Sequence, residues 1–477
     1  MSMDRWIAGP LLAGALLAAG CGGNKGTLTV SIVTPLTVDP FALAARVHIK
    51  VGDPAVAEQT VTVTGGHFSS DLKFKPPSTT LVGAVLIEAL AADGTVVARG
   101  STPPIGFVVA DESVAVWVAP LGKAGALSVG LSQPRSQVTG ALLPGLGALF
   151  AGGSAIPGDA GARQDVTDVD VFDAFTMNMV AAQPLPGVRT GALGLPLDQG
   201  GTNIGNVLLA GGGQSPGLTA FEASGDLGTW TQVASDASLA RDQPAMAVLA
   251  DGSTLITGGL NGGGMALATA TLVTTVGTVE VTALAAPMAS PHGAGHTTTA
   301  ALGPGGNGAL VVGAGQNASH AEFYSAAART FADIDFKVAL PSSGHSATPL
   351  ASGQVLVLGG LSGTTGAATR DALVMDATAR TATAPAAPLL SVPRAFHTAT
   401  LLGPNNLLVC GGSDDKGAAI ASCDLVDPTA LTLLRTVPLG AARSGHVAVT
   451  LPQGIVLLTA GTDGAGMRLA SAELYTP

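Results

Sequence analysis

Four histidines stand at one recurring place in the second half of the chain: His296, His345, His397 and His446, each three residues after an arginine or the residue aligned with it. Imidazoles repeated in one frame could converge on a metal ion. Five arginines open copies of the same frame, Arg135, Arg189, Arg241, Arg394 and Arg443, and a guanidinium fork could clasp a carboxylate or phosphate. Three cysteines, Cys21, Cys410 and Cys423, add lipid or redox chemistry. The metal reading has a strict requirement, since zinc needs three or four ligands within ~2.3 Å of one point. Val138, Ala192 and Pro244 fill the histidine place in the remaining copies, and no matching acidic ligands accompany it. The position therefore reads as templated structure, and neither metal nor cofactor is expected. The arginines take the same reading, with Arg394 and Arg443 the pair best placed to meet a ligand.

The frame that carries these residues recurs seven times. In residues 135–153, 241–259, 394–412 and 443–461 an arginine leads to a closing glycine eighteen positions later; residues 342–360 keep the spacing with Ser342 at the start. Two longer copies span 189–212 and 293–315, and the mean period is about 51 residues. Each copy offers an apolar stretch, a tight hairpin, a second apolar stretch ending in glycines, a third ("VDVFDA", "CDLVDP", "AELYTP") and a fourth before the next arginine. Such a repeat, with a glycine pair closing the second strand, resembles the kelch repeat over about residues 125–477. The resemblance implies a seven-bladed kelch-like β-propeller in 121–477, with the histidines capping backbone between blades. The last copy stops at its third strand, so residues 126–131 are expected to supply the missing outer strand and close the ring.

The region before the repeat is built differently. Residues 27–120 hold seven short alternating segments, which predict a β-sandwich of immunoglobulin or transthyretin-like type with Trp117 and Phe107 in its core. Ahead of it, residues 1–20 have the make-up of an export signal, and "LLAAGC" resembles a bacterial lipobox. That resemblance makes Cys21 a lipid attachment site at the head of a tether, 21–26, and favours the outer membrane because Gly22 follows it. Export would leave Cys410 and Cys423 as a pair in an oxidising compartment. They end and begin adjacent antiparallel strands, so a disulfide is expected between them.

Composition excludes several functions. With a formal charge of −11 and no basic cluster, nucleic acid is not an expected partner. Beyond the leader no apolar run approaches the roughly 18 residues of a spanning helix. Galactose oxidase-like enzymes need a copper site of Tyr, Cys and His, and both tyrosines here sit at the third-strand place of the repeat. Sialidase-like enzymes need aspartate boxes that the chain lacks. The acidic stretches "GDAGARQDVTDVD" and "GGSDDKG" show no ordered calcium spacing. The expectation is an all-β, non-catalytic, membrane-anchored protein of the bacterial envelope that presents a loop face to a protein or glycan. A structural envelope component and a carbohydrate-active propeller enzyme are the alternatives.

Overall fold

Second strands such as Val207–Ala210, Thr254–Thr257, Val355–Leu358 and Val456–Thr459 are buried at every residue, on both faces. A strand is apolar on both sides only when other layers cover it on both sides. The computed structural model shows how. It describes residues 13–20, 25–52, 55–64, 67–68, 73–74, 82–106, 112–155, 164–196, 207–223, 228–275, 279–313 and 319–477. Cys21 and Phe107 lie outside them.

From Lys123 onward the described chain forms seven four-stranded antiparallel sheets. Their innermost strands are Thr139–Leu143, Leu193–Pro196, Ala245–Val248, Thr297–Gly303, Ser346–Pro349, Thr398–Gly403 and Val447–Thr450, and we number the sheets 1 to 7 in that order. Within each, successive strands pair side by side from the innermost outward. Each sheet then stacks on the next through an apolar layer. Leu310, Val312 and Phe323 of sheet 4, for example, meet Val355, Val357 and Met375 of sheet 5. The circuit closes, because Ala148, Phe150 and Phe172 of sheet 1 pack with Leu457 and Leu474 of sheet 7. Each buried Leu, Val or Phe contributes on the order of 1.5–3 kcal/mol, so the stacking layers hold the circuit shut. Outer strands such as Asn178–Ala181 keep mostly exposed residues. The fold is all-β and propeller-like.

Sheet 7 takes its fourth strand from the other end of the repeat region. Lys123–Arg135 runs antiparallel to Leu469–Thr476, from Lys123 opposite Thr476 to Arg135 opposite Leu469, with two register shifts. The edge of Leu469–Thr476 is thereby covered.

Ahead of Lys123 two further sheets share one core. Val30, Ile32, Val114 and Val116 of the first face Val47, Ile49, Val85, Ile87 and Ala98 of the second. Ala13–Gly20, inside the stretch expected to be a leader, lies antiparallel to Lys25–Val33, which pairs on its other side with Glu112–Trp117 in parallel. Trp117 is fully buried where this region meets sheet 7, and its Nε1 donates to Thr476 Oγ1 at 3.1 Å.

Candidate functional site

The arginines that open the frame do not reach solvent. Arg394 and Arg443 are both 0% exposed, which corrects the expectation that they contact a partner. Arg394 Nη1 donates to Gly411 O (2.8 Å) and Ser422 O (3.1 Å), and its Nη2 meets Asp424 Oδ2 at 2.9 Å. Arg443 repeats the arrangement with Ala460 O, Ser471 O and Glu473, the last at 2.9 Å. Arg135 pairs with Asp170 in the same way. A fork with fixed donors fits two carbonyls of adjacent strands and one carboxylate beyond them, so the side chain staples second strand to third. The carboxylates also tie down the incoming segment: Asp424 accepts from Ser391 N at 2.9 Å, and Glu473 from Gly440 N at 2.7 Å. Burial pulls the Arg394 guanidinium below its ordinary pKa, and Asp424 pulls it back up.

The other sheets vary the theme. Arg189 and Arg241 hold the same carbonyls, but Thr219 and Thr271 stand where the acid would be. Desolvation alone moves both guanidiniums down to about 10. Sheet 4 has Gly293 at the arginine place. His292 takes the cation's place, with Nδ1 2.6 Å from Gly313 O and Nε2 3.1 Å from Glu322 Oε1. Glu322 in turn accepts from Ala289 N and Ser290 N at 2.7 and 2.9 Å. Sheet 5 keeps only Ser342, which donates to Leu361 O at 3.2 Å.

The four templated histidines are also interior. His345, His397 and His446 place Nε2 2.9 Å from Thr297, Ser346 and Thr398 hydroxyls of the preceding innermost strand, and His296 lies 3.1 Å from Thr257 Oγ1. Their contacts between sheets thus run through side-chain hydroxyls. Each ring rests on a glycine that ends the preceding second strand. A Cβ on Gly411 (φ +58°) would run into the Arg443 carbonyl and lie 2.8 Å from His446 Cε1. Burial lowers the imidazole pKa to about 4 at His296 and about 3 at His345 and His397, and well below the ordinary value at His446. Among the described residues no group of three or more His, Cys, Asp or Glu could hold a metal ion.

Between the arginine and histidine places only Phe396 and Gly445 are exposed. Two residues after the arginine place stand Gln137, Gly191, Gln243, Gly295, Gly344, Phe396 and Gly445, and all seven have positive φ, from 48° to 81°. A left-handed conformation costs a non-glycine residue roughly 1–2 kcal/mol, so Gln137, Gln243 and Phe396 are held there by their surroundings. Backbone hydrogen bonds pass between these positions in neighbouring sheets: Gly191 N to Gln137 O (3.1 Å), Gly344 N to Gly295 O (2.8 Å), Phe396 N to Gly344 O (2.7 Å) and Gly445 N to Phe396 O (3.0 Å). Phe396 is 43% exposed, and its ring lies over Gly344 and reaches Gly295. The sequence reading passed over these residues. Their signal was the glycine that precedes the histidine in "GAGH", "SSGH" and "RSGH".

A groove of about 440 Å3 runs between Gln133 and Pro134 and the acidic strip Gln164–Asp168. Cys410 and Cys423 behave as expected: they pair opposite each other in sheet 6, and their sulfurs are bonded, with Cα atoms 4.0 Å apart. A loop of this length contributes about 3 kcal/mol in the chain-entropy account.

No protein-family model and no curated protein matches the chain. A solved structure titled "Structure of YjhT" aligns with 60% of this chain and 94% of its own, at 14% identity and a TM-score of 0.43. That likeness carries no argument here, and the class rests on the sheets themselves: an all-β protein of β-propeller type.

Proposed function

We propose that the chain is an exported, lipid-anchored envelope protein in which a two-sheet sandwich carries a seven-bladed kelch-like propeller, and that the propeller binds a protein or glycan without catalysis. The observation that carries this reading is the division of labour within the frame. Arg394, Arg443, His397 and His446 are buried in contacts within and between sheets, while Phe396, between Arg394 and His397, is turned outward in a conformation that costs stability. Strain held at an exposed position, on a scaffold rigid enough to hold it, is a mark of a recognition surface. The anchor follows from Cys21 and the lipobox-like segment, and places the face at the bacterial envelope, at the outer membrane by the Gly22 argument. The net charge of −11 leaves nucleic acid out of the reading.

The full chain expressed in a bacterial host tests both halves. Wild type is expected in the detergent phase, and Cys21→Ser in the soluble fraction; equal partitioning removes the anchor. Pull-down from envelope extract, read for both proteins and glycans, is expected to retain a ligand at micromolar strength or better. Stoichiometric co-purification with envelope structural proteins would favour the scaffold alternative. Turnover of a glycoside would favour the enzyme.

A further inference from the structure

The seven left-handed positions meet one another between consecutive sheets, and their backbone pairing is not uniform. Four junctions are hydrogen-bonded. The junctions that flank the glutamines on the other side are not: among the described residues the N–H groups of Gln137, Gln243 and Gly295 meet no protein acceptor, and neither glutamine amide is hydrogen-bonded to the protein. Gln243 lies against Gly191, since a Cβ there would come within 2.6 Å of its Cγ, and Gly191 N is bonded to Gln137 O. The two glutamines therefore flank Gly191 on one arc. Phe396 covers Gly344 and extends to Gly295, so its apolar face lies beside the unpaired Gly295 N–H. Four of the seven positions are glycine, which leaves the floor open.

No ionisable side chain stands in this ring. The arginines two residues before these positions are all buried: Arg135, Arg394 and Arg443 pair with Asp170, Asp424 and Glu473, whereas Arg189 and Arg241 are held by carbonyl and threonine oxygens, and the four histidines beneath are held neutral at ordinary pH. An anionic ligand reaches none of these guanidiniums directly, because they are 0–4% exposed. A purely apolar one would cover two amides and three N–H groups without pairing them, at about 1–3 kcal/mol for each group. A ligand with one flat C–H face and a rim of neutral hydroxyls satisfies both halves. We infer that this ring is a binding site for an uncharged pyranose, stacked on Phe396 and hydrogen-bonded through its hydroxyls to the amides of Gln137 and Gln243 and to the free N–H groups beside them. The inference rests on the proposed binding reading and narrows it to a site and a ligand class.

The test uses the full chain and methyl glycosides of glucose, galactose, mannose and N-acetylglucosamine, followed by NMR or calorimetric titration, with N-acetylneuraminic acid and adenosine as charged and aromatic controls. At least one neutral glycoside is expected to saturate in the millimolar range normal for a single sugar ring. Phe396→Gly relieves the left-handed strain, so the variant should fold at least as well as wild type while binding falls at least tenfold. Gln137→Ala and Gln243→Ala should each weaken binding several-fold. The inference is overturned by saturation only with the acidic sugar or adenosine, by full binding in Phe396→Gly, or by no neutral glycoside binding up to about 50 mM. The pull-down separates the two claims. A captured protein partner that Phe396→Gly still retains, with no sugar bound, leaves the binding reading standing and removes the pyranose.

Discussion

Sheets 6 and 7 hold their arginines with carboxylates, whereas sheets 2 and 3 hold the same arginines with threonines. In all four, Nη1 bridges the carbonyl that ends the second strand and the one that begins the third. The ion pair is the part that varies. Sheet 4 keeps the acid, Glu322, and puts His292, one residue earlier in the frame, where the arginine would be. What the repeat preserves is a donor that staples two strands, and the carboxylate serves a second purpose by gathering the N–H groups of the incoming segment. A buried guanidinium surrounded by neutral oxygens is tolerated, at the expense of desolvation that lowers its pKa to about 10 in Arg189 and Arg241.

The sharpest way to break the comparison is to make sheet 6 resemble sheet 2 by subtraction. Asp424→Ala removes the only carboxylate at Arg394 and leaves Ser391 N and Oγ without their acceptor. Removing one partner of a buried pair costs about 3–5 kcal/mol. The urea midpoint should fall accordingly, and a loss below about 1 kcal/mol would show that the neutral arrangement of sheets 2 and 3 is available to sheet 6 as well. The matching change in sheet 2, Thr219→Ala, removes only a 2.6 Å hydrogen bond from Arg189, and should cost about 1–2 kcal/mol.

How much of this was legible beforehand divides along the same line. The all-β class and the Cys410–Cys423 bond followed from local pattern, because alternation and antiparallel register are set by residues close in sequence. The arginine partners were harder. An arginine between two strands reads as surface, and nothing local says that a carboxylate about thirty residues later will bury it. The signal was present in the third strands, where "VDVFDA", "CDLVDP" and "AELYTP" carry an acid inside an apolar run and "TAFEAS" and "ATLVTT" carry threonine in the matching place. An acid there needs a buried cation, and the frame offers one. His292 was illegible for a different reason, since it stands one residue out of the template. The outward ring was hidden because three of its seven members are not glycine, so composition alone does not mark the conformation.

A second contrast separates sheets 4 to 7, whose innermost strands are each preceded by a histidine, from sheets 1 to 3, where Val138, Ala192 and Pro244 stand. The folded imidazoles titrate far below the ordinary 6.5, at about 4 in His296 and about 3 in His345 and His397. Between these limits the unfolded chain takes up a proton that the folded one refuses. Stability present above pH 6.5 is therefore lost as pH falls, at up to about 1.4 kcal/mol per pH unit for each imidazole. Replacing His345 by valine, as in sheet 1, should remove one proton's share of that slope between pH 6.5 and 4. Urea midpoints at several pH values measure it, and an unchanged slope would mean that His345 is protonated in the fold.

The smallest expected effect comes from adding a carboxylate to sheet 3. Thr271 stands thirty residues after Arg241, as Asp424 does after Arg394, and both positions are fully buried. Ser238 stands three residues before Arg241, as Ser391 does before Arg394. In sheet 6 Ser391 Oγ donates to Asp424 at 2.8 Å; in sheet 3 Ser238 Oγ is buried with no partner. The orphaned hydroxyl and the uncompensated guanidinium have one cause, the missing acid. Thr271→Asp should serve both, neutralising Arg241 and accepting from Ser238 Oγ. Against this stand the desolvation of a new carboxylate and the loss of the long 3.4 Å bond from Thr271 to Ser238 O. The balance is a gain of about 1 kcal/mol, because a charge-assisted bond on each side outweighs one weak neutral bond. The control is Ser238→Ala, made once in wild type and once together with Thr271→Asp. In wild type it removes an unpaired group and should be close to neutral, whereas beside the added carboxylate it should cost about 1 kcal/mol. Equal costs in the two backgrounds would show that the added carboxylate does not reach the place that Asp424 holds in sheet 6.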